Sequence, residues 1–310
     1  MPVQKVLIPL DGSKLAEQAL LTAPFLQALG FERAQLVSVF EDVPGGRTPT
    51  DEYEEYLRKS EATAGAYLRV KAENLTAGDL QGGYIVRFGL AAEEIVSEAE
   101  NVGADLIVLS SHGRVGPDRW SLGSVADKVV RLSPIPVLLI GPHAHLTLSG
   151  FRPHRIMVPL DGSTSAEVAL APARHIAALT GANLQLVRVV TAPDRFVNPF
   201  APALPFDDME QLEDGATKYL SRVDAPAGTH RAVLRAAFTS NVSNELVRYC
   251  GNTGIDLTVI SSHTRVGASR LLLGSVADDL LRGSTPVLVV KPGEAKTSSL
   301  FAPVDEKVSA

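Results

Sequence analysis

The stretch from Asp105 to Ser124, DLIVLSSHGRVGPDRWSLGS, returns 151 residues later as Asp256 to Ser275, DLTVISSHTRVGASRLLLGS. Whatever unit holds the first copy is built twice, and half of the 310 residues is available to each. The match extends well beyond this stretch. Val3 to Leu10 ends in Pro9-Leu10-Asp11-Gly12-Ser13, and Arg155 to Leu160 ends in Pro159-Leu160-Asp161-Gly162-Ser163. Each copy reads as a short apolar run, a turn and a helical pattern, repeated in alternation. That order of elements forces parallel strands joined by crossover helices.

Within each half, the runs predict five strands. They lie at Val3–Leu10, Ala34–Phe40, Tyr84–Phe88, Leu106–Leu109 and Pro136–Ile140, and again at Arg155–Leu160, Asn183–Val190, Arg231–Ala236, Leu257–Ile260 and Pro286–Val290. The spacing predicts first helices with apolar faces Ala16, Ala19, Leu20, Ala23, Leu26 and Ala166, Ala169, Leu170, Ala173, Ile176. Long helices are expected over Asp51–Thr76 and Asp207–Val223, and third helices over Ala91–Val102 and Ser240–Asn252. Right-handed crossovers restrict this to an α/β chain of two tandem doubly wound, Rossmann-like domains, each a five-stranded parallel sheet. The expected division is 1–145 and 155–292, with a linker at 146–154 and a polar tail at 293–310.

Composition narrows the function classes. Hydrophobic residues make up 45% and charged residues 21%, a globular balance. A net charge of −6 and the lack of a basic stripe argue against nucleic acid as a partner. The lone Cys250 excludes intramolecular disulfides and Cys-rich metal sites, and reads as a buried inert thiol. No apolar run reaches the ~20 residues of a membrane span, and MPVQKVLIPLDGS reads as a strand rather than an export signal. The expectation is a soluble cytoplasmic protein without membrane partners.

The repeated stretch carries the chemistry. A buried strand, a loop of small residues and a helix start at Gly123-Ser124 form a cradle for an anion. In a doubly wound sheet such a ligand lies at the carboxyl ends of the strands where their order reverses. For order 3-2-1-4-5, that crevice lies between strands one and four. It gathers Asp11 with the Ser110–Ser124 loop, and Asp161 with Ser261–Ser275. The ends of the second strands, at Val39 and Val189, border it, where a backbone group can read an adenine edge. A helix N-terminus favours an anion by only ~0.3–1 kcal/mol, whereas micromolar binding needs about 8 kcal/mol. Several elements must therefore act together.

Each half resembles the universal stress protein domain, over roughly residues 2–142 and 154–292. ATP-binding members of that family carry Gly, two residues, Gly, nine residues, then Gly-Ser or Gly-Thr. Here the halves read Ser110-Ser-His-Gly113, nine residues, Gly123-Ser124, and Ser261-Ser-His-Thr264, nine residues, Gly274-Ser275. The resemblance implies ATP or a related adenine nucleotide as ligand, with Mg²⁺ left open, and a regulatory, stress-response output. It places binding on Asp11, Val39, Gly113, Gly123, Ser124 and Val125, and on Asp161, Val189, Gly274, Ser275 and Val276. Ser110 and Ser261 replace the first glycine and Thr264 replaces the second. Threonine tolerates positive φ poorly, so the first site is expected to be the better binder.

Other readings stand beside these. Asp11 and Asp161 suit either a ribose contact or the capping of the next helix. His112 and His263 follow serines, but no G-x-S-x-G elbow accompanies them, so no catalytic residue is assigned. Arg114, Arg119, Arg265, Arg270 and Lys128 suit either screening of phosphate charge or, for most of them, a solvated face, and Trp120 reads as packing, since Leu271 replaces it in the second copy. Two rival functions remain: a nucleotide-free interaction scaffold, and a slow ATPase with at most weak hydrolysis. Finally, Val137–Ile140 and Val287–Val290 would be apolar sheet edges if left unpaired. Their pairing with each other is expected to join the halves; assembly of two chains into a homodimer is left open.

Overall fold

The computed structural model describes residues 3–41, 51–111, 122–144, 146, 150–191, 206–236, 241–261 and 275–292. The first half contributes β1 (Gln4–Pro9), β2 (Phe31–Phe40), β3 (Gln81–Phe88), β4 (Leu106–Ser110) and β5 (Val137–Ile140). The second contributes β6 (Arg155–Pro159), β7 (Asn183–Thr191), β8 (His230–Ala236), β9 (Leu257–Ser261) and β10 (Val287–Val290). All ten join one sheet in the order β3-β2-β1-β4-β5-β10-β9-β6-β7-β8. Each half thus has the 3-2-1-4-5 order, and every pairing is parallel except β5 with β10.

The central strands are apolar on both sides because helices cover both, whereas the outer strands β3 and β8 are more polar and only partly buried. Alternation sends Val6, Ile8, Val108, Leu138 and Leu288 into one layer, and Leu7, Ile107, Leu139, Met157 and Val289 into the other. Over the first layer lie α1 (Ala23–Ala28), α2 (Asp51–Ala77), α6 (Leu170–Thr180) and α7 (Phe206–Arg222). Over the second lie α3 (Ala91–Asn101), α4 (Ser124–Leu132), α8 (Val242–Thr253) and α9 (Ser275–Arg282). Each apolar layer continues across the join, so the halves share their cores.

The first helix of each half differs from the expectation. Ala16–Thr22 is a 3₁₀ segment that runs into α1, and in the second half α5 (Thr164–Glu167) stops before α6. Proline explains both breaks: Pro24 and Pro172 stand in the first turns of α1 and α6, where the missing N–H interrupts the helical ladder. The long helices, third helices and strands lie within a few residues of their expected limits.

The join is antiparallel, with Leu138 opposite Leu288, Val137 opposite Val289, and Leu139 opposite Val287. The residue after each of these strands meets the end of the other half's last helix, but in different ways. Lys291 Nζ donates to the carbonyls of Arg131 (2.8 Å) and Ser133 (2.6 Å) at the end of α4. Gly141 packs so tightly on the Leu281 carbonyl of α9 that a Cβ would collide with it. The connecting chain docks as well: the Phe151 amide donates to Leu21 O at 2.9 Å, and its ring meets Phe25 edge-on at 5.1 Å. Among the described residues, no helix is long and apolar enough to cross a membrane.

Candidate functional site

Strands β1 and β4 are in register only at Val6–Leu106 and Leu7–Ile107. Beyond that they part, because β1 leads to the α1 face and β4 to the α4 face. The second half repeats this, with Ile156–Leu257 and Met157–Thr258 the only register pairs of β6 and β9. These two openings are the crevices at the switch points. Antiparallel joining of β5 and β10 sends them to opposite ends of the sheet.

At the first crevice, Asp11-Gly12-Ser13 forms a tight turn. The Ser13 amide donates to Asp11 Oδ1 (2.9 Å), and Ser13 Oγ accepts from the Ala16 amide (3.0 Å). Gly12 has φ +83°, a conformation that favours glycine. Asp161, Gly162 and Ser163 repeat the geometry, with distances of 2.9 and 3.1 Å and φ +88°. The serines therefore cap, and the aspartates orient the capping turn.

Val39 lies two residues past Val37, the last β2 residue in register with β1. The Val37 carbonyl accepts from the Leu10 amide, so by alternation the N–H and C=O of Val39 point the same way, into the opening. Val189 is placed identically beyond Val187, whose carbonyl accepts from the Leu160 amide.

The opposite wall is the start of α4. The Gly123 amide donates to Ser111 O at 2.8 Å, which returns the loop to the end of β4. Gly123 is the N-cap residue, with φ −58° and ψ 143°, and among the described residues no side chain caps the helix; Ser124 and Val125 form its first turn. Ser163 and Asn241 cap α5 and α8 with their side chains, whereas α1, α3 and α6 start without a side-chain cap, as α4 does. One residue upstream, the Leu122 amide donates to Asp278 Oδ1 of the second half at 2.9 Å. Glu93 on α3 pairs with Lys128.

Beside the Asp11 turn lies a polar cluster. Tyr67 donates to Glu17 Oε1 (2.9 Å), and Lys71 pairs with Glu17 Oε2 (2.8 Å). Burial pushes the Glu17 carboxyl up, but the hydrogen bonds from Lys71 and Tyr67 outweigh it and hold the group below its ordinary range. Burial, the bond to Glu17 and the nearby charges of Glu17 and Asp11 all push the Tyr67 phenol up. In the second half Tyr219 donates to Glu167 at 2.8 Å, but the nearby cation is Arg188 of β7, stacked 4.8 Å over the Tyr219 ring. Its guanidinium lies against Gly162: a Cβ there would sit 2.6 Å from Nη1. The first half has the small, buried Ser38 at this place in the repeat, and nothing lies within 4 Å of a Cβ on Gly12. The second crevice also holds the buried Ser261 hydroxyl, without a hydrogen-bond partner among the described residues.

The structure therefore brings Asp11, Val39, Gly123, Ser124 and Val125 to one crevice, and Asp161 and Val189 to the other, where Ser275 and Val276 open α9. Gly113, Thr264 and Gly274 lie outside the described residues, as do His112, His263 and Trp120. Sequence reasoning missed the Tyr–Glu pairs and Asp278. The former had a signal, since Glu17/Tyr67 and Glu167/Tyr219 recur at matching places in the two copies. No group of three or more His, Cys, Asp or Glu is arranged for a metal among the described residues.

Comparison with known proteins places this geometry. The profile of the Universal stress protein family matches residues 2–141 and 153–291. A universal stress protein of Methanocaldococcus jannaschii is 31% identical over 155 residues, spanning 44% of this chain and 94% of that protein. One from Mycobacterium tuberculosis is 31% identical over 205 residues, 64% of each chain. The crystal structure of a universal stress protein from Archaeoglobus fulgidus shares the fold over 93% of this chain and 96% of its own, with a TM-score of 0.66 at 21% identity. Two family matches, one per five-stranded half, account for the duplicated strand–loop–helix unit, and the chain belongs to the universal stress protein family as a tandem two-domain member.

Proposed function

We propose that the first half binds ATP or a related adenine nucleotide, and that occupancy sets the conformation or partner choice of a cytoplasmic stress-response regulator. The observation that carries this reading is the start of α4 at the switch point, where among the described residues no side chain caps the helix and Gly123 stands at the N-cap. Those first-turn amides, with Gly123 allowing close approach, suit a phosphate chain. ATP supplies the polyanion. Ser124 adds a hydroxyl, the Val39 backbone reads the adenine edge, and Asp11 faces the ribose. Gly113 and Val125 complete the set implied by the family resemblance.

The second crevice, with Asp161, Val189, Gly274, Ser275 and Val276, is the weaker candidate. Thr264 replaces a glycine there, and Arg188 occupies space beside Gly162 that stays open beside Gly12.

The test is identification of nucleotide co-purified with the full chain, followed by calorimetry with MgATP. Binding is expected, weakened at least tenfold in Gly123→Ala and Asp11→Ala. Nucleotide-free protein that gives no heat with MgATP in several buffers would refute the reading and favour the interaction scaffold.

A further inference from the structure

The geometry points to Asp278 as a positioning residue through which the second half sets the competence of the first half's crevice. Its Oδ1 accepts from the Leu122 amide, 156 residues away in sequence, and its Oδ2 accepts from Arg282 Nη2 at 2.8 Å. The carboxylate is thus aimed by its own helix at the backbone of the other half. Leu122 is the residue before Gly123-Ser124, and its side chain packs into the apolar layer beneath α4. The segment is pinned at consecutive residues: Leu122 by the second half, and Gly123 by Ser111 at the end of β4.

On the far side, α9 is braced within its own half. Asp279 accepts from Ser243 on α8, and Arg282 also lies 3.3 Å from Asp279. A chain of contacts therefore runs from α8 through α9 to the residue next to the proposed phosphate cradle. Asp127 occupies the matching place on α4 and pairs with Arg131, so the acid–base pair belongs to the repeated unit. Coupling of this kind is reciprocal: a ligand that needs Leu122 held in place also tightens the grip of Asp278.

The ligand part of this inference rests on the nucleotide reading; the backbone part does not, and the experiment separates them. In the full chain, amide hydrogen exchange is measured at residues 122–125, and MgATP affinity by calorimetry, for wild type, Asp278→Ala, Asp278→Asn and Lys291→Met. A hydrogen bond to a charged acceptor is strong enough that Asp278→Ala should speed exchange at Leu122 at least tenfold and weaken MgATP severalfold. Asp278→Asn keeps an acceptor oxygen and should stay within about threefold of wild type in both. Lys291→Met breaks a different contact across the join and should leave residues 122–125 within about twofold. Unchanged exchange in Asp278→Ala, or equal loosening in Lys291→Met, would overturn the assignment. So would faster exchange with undiminished affinity. If the wild type binds no nucleotide, the ligand reading falls and the exchange data alone decide the role of Asp278.

Discussion

Truncating the two leucines that face each other at the join gives a sharp test of the shared core. Leu138 and Leu288 are 1% and 3% exposed, lie in register on β5 and β10, and point into the same apolar layer. Each Leu→Ala change removes buried methyl groups and leaves a cavity, costing about 2–5 kcal/mol. Directly opposed residues have Cβ atoms about 4.5–5.5 Å apart, so the two side chains touch and the cavities merge. The double variant should lose less than the sum of the singles, with a coupling of about 0.5–3 kcal/mol. Urea unfolding of the full chain, followed by circular dichroism, gives the four free energies of the cycle. Leu36 on β2 is the internal control: three strands from β5, about 14 Å, it should combine with Leu138 additively to within ~0.5 kcal/mol. Additive Leu138/Leu288 losses, or single losses below ~1 kcal/mol, would refute a common core across the ladder.

Acid should expose the Glu17 cluster. A carboxyl held below its ordinary value of 4.5 contributes stability that is present above that pH and lost as pH falls through the folded-state value. Wild type should therefore lose its advantage over Glu17→Gln between about pH 5 and pH 3 in urea titrations, and an unchanged gap would contradict the pairing with Lys71 and Tyr67. Cys250 tests burial directly. Burial pushes its thiol up to about 11, so at pH 8 iodoacetamide should react at least a hundredfold more slowly with native than with urea-unfolded protein. Comparable rates would place the thiol at the surface.

Much of this architecture was legible because it follows from side-chain period and repetition. Val6-Leu7-Ile8 and Leu106-Ile107-Val108 are apolar at every position, which only a strand covered on both faces requires, and both are buried there. The pairing of the two last strands was also readable, since Val137–Ile140 and Val287–Val290 would otherwise be exposed apolar edges; its antiparallel direction came only with the structure. Helical breaks before Pro24 and Pro172 were not foreseen, because apolar spacing continues smoothly through them while the backbone donor is missing. At the site, Asp11, Val39, Gly123 and Ser124 could be placed from strand order alone. Arg188 could not: its contrast with Ser38 is visible in the repeat, but its stacking on Tyr219 depends on where α7 lies. Asp278 was hidden for a related reason. A side chain reaching the backbone of another half leaves no local pattern.

Gly141 and Lys291 carry a consequence for what fusion makes attainable. When two identical chains meet at a twofold ladder, one residue type must serve both sides of the interface. Here a lysine closes the last turn of α4, while a bare backbone admits the last turn of α9. No self-matched pair offers that combination: two first halves would leave the α4 terminus without its ammonium, and two second halves would bring a lysine stem against the carbonyl that Gly141 accommodates. A covalent connection lets the two ends of one seam carry different residues, a lysine at one and a bare backbone at the other.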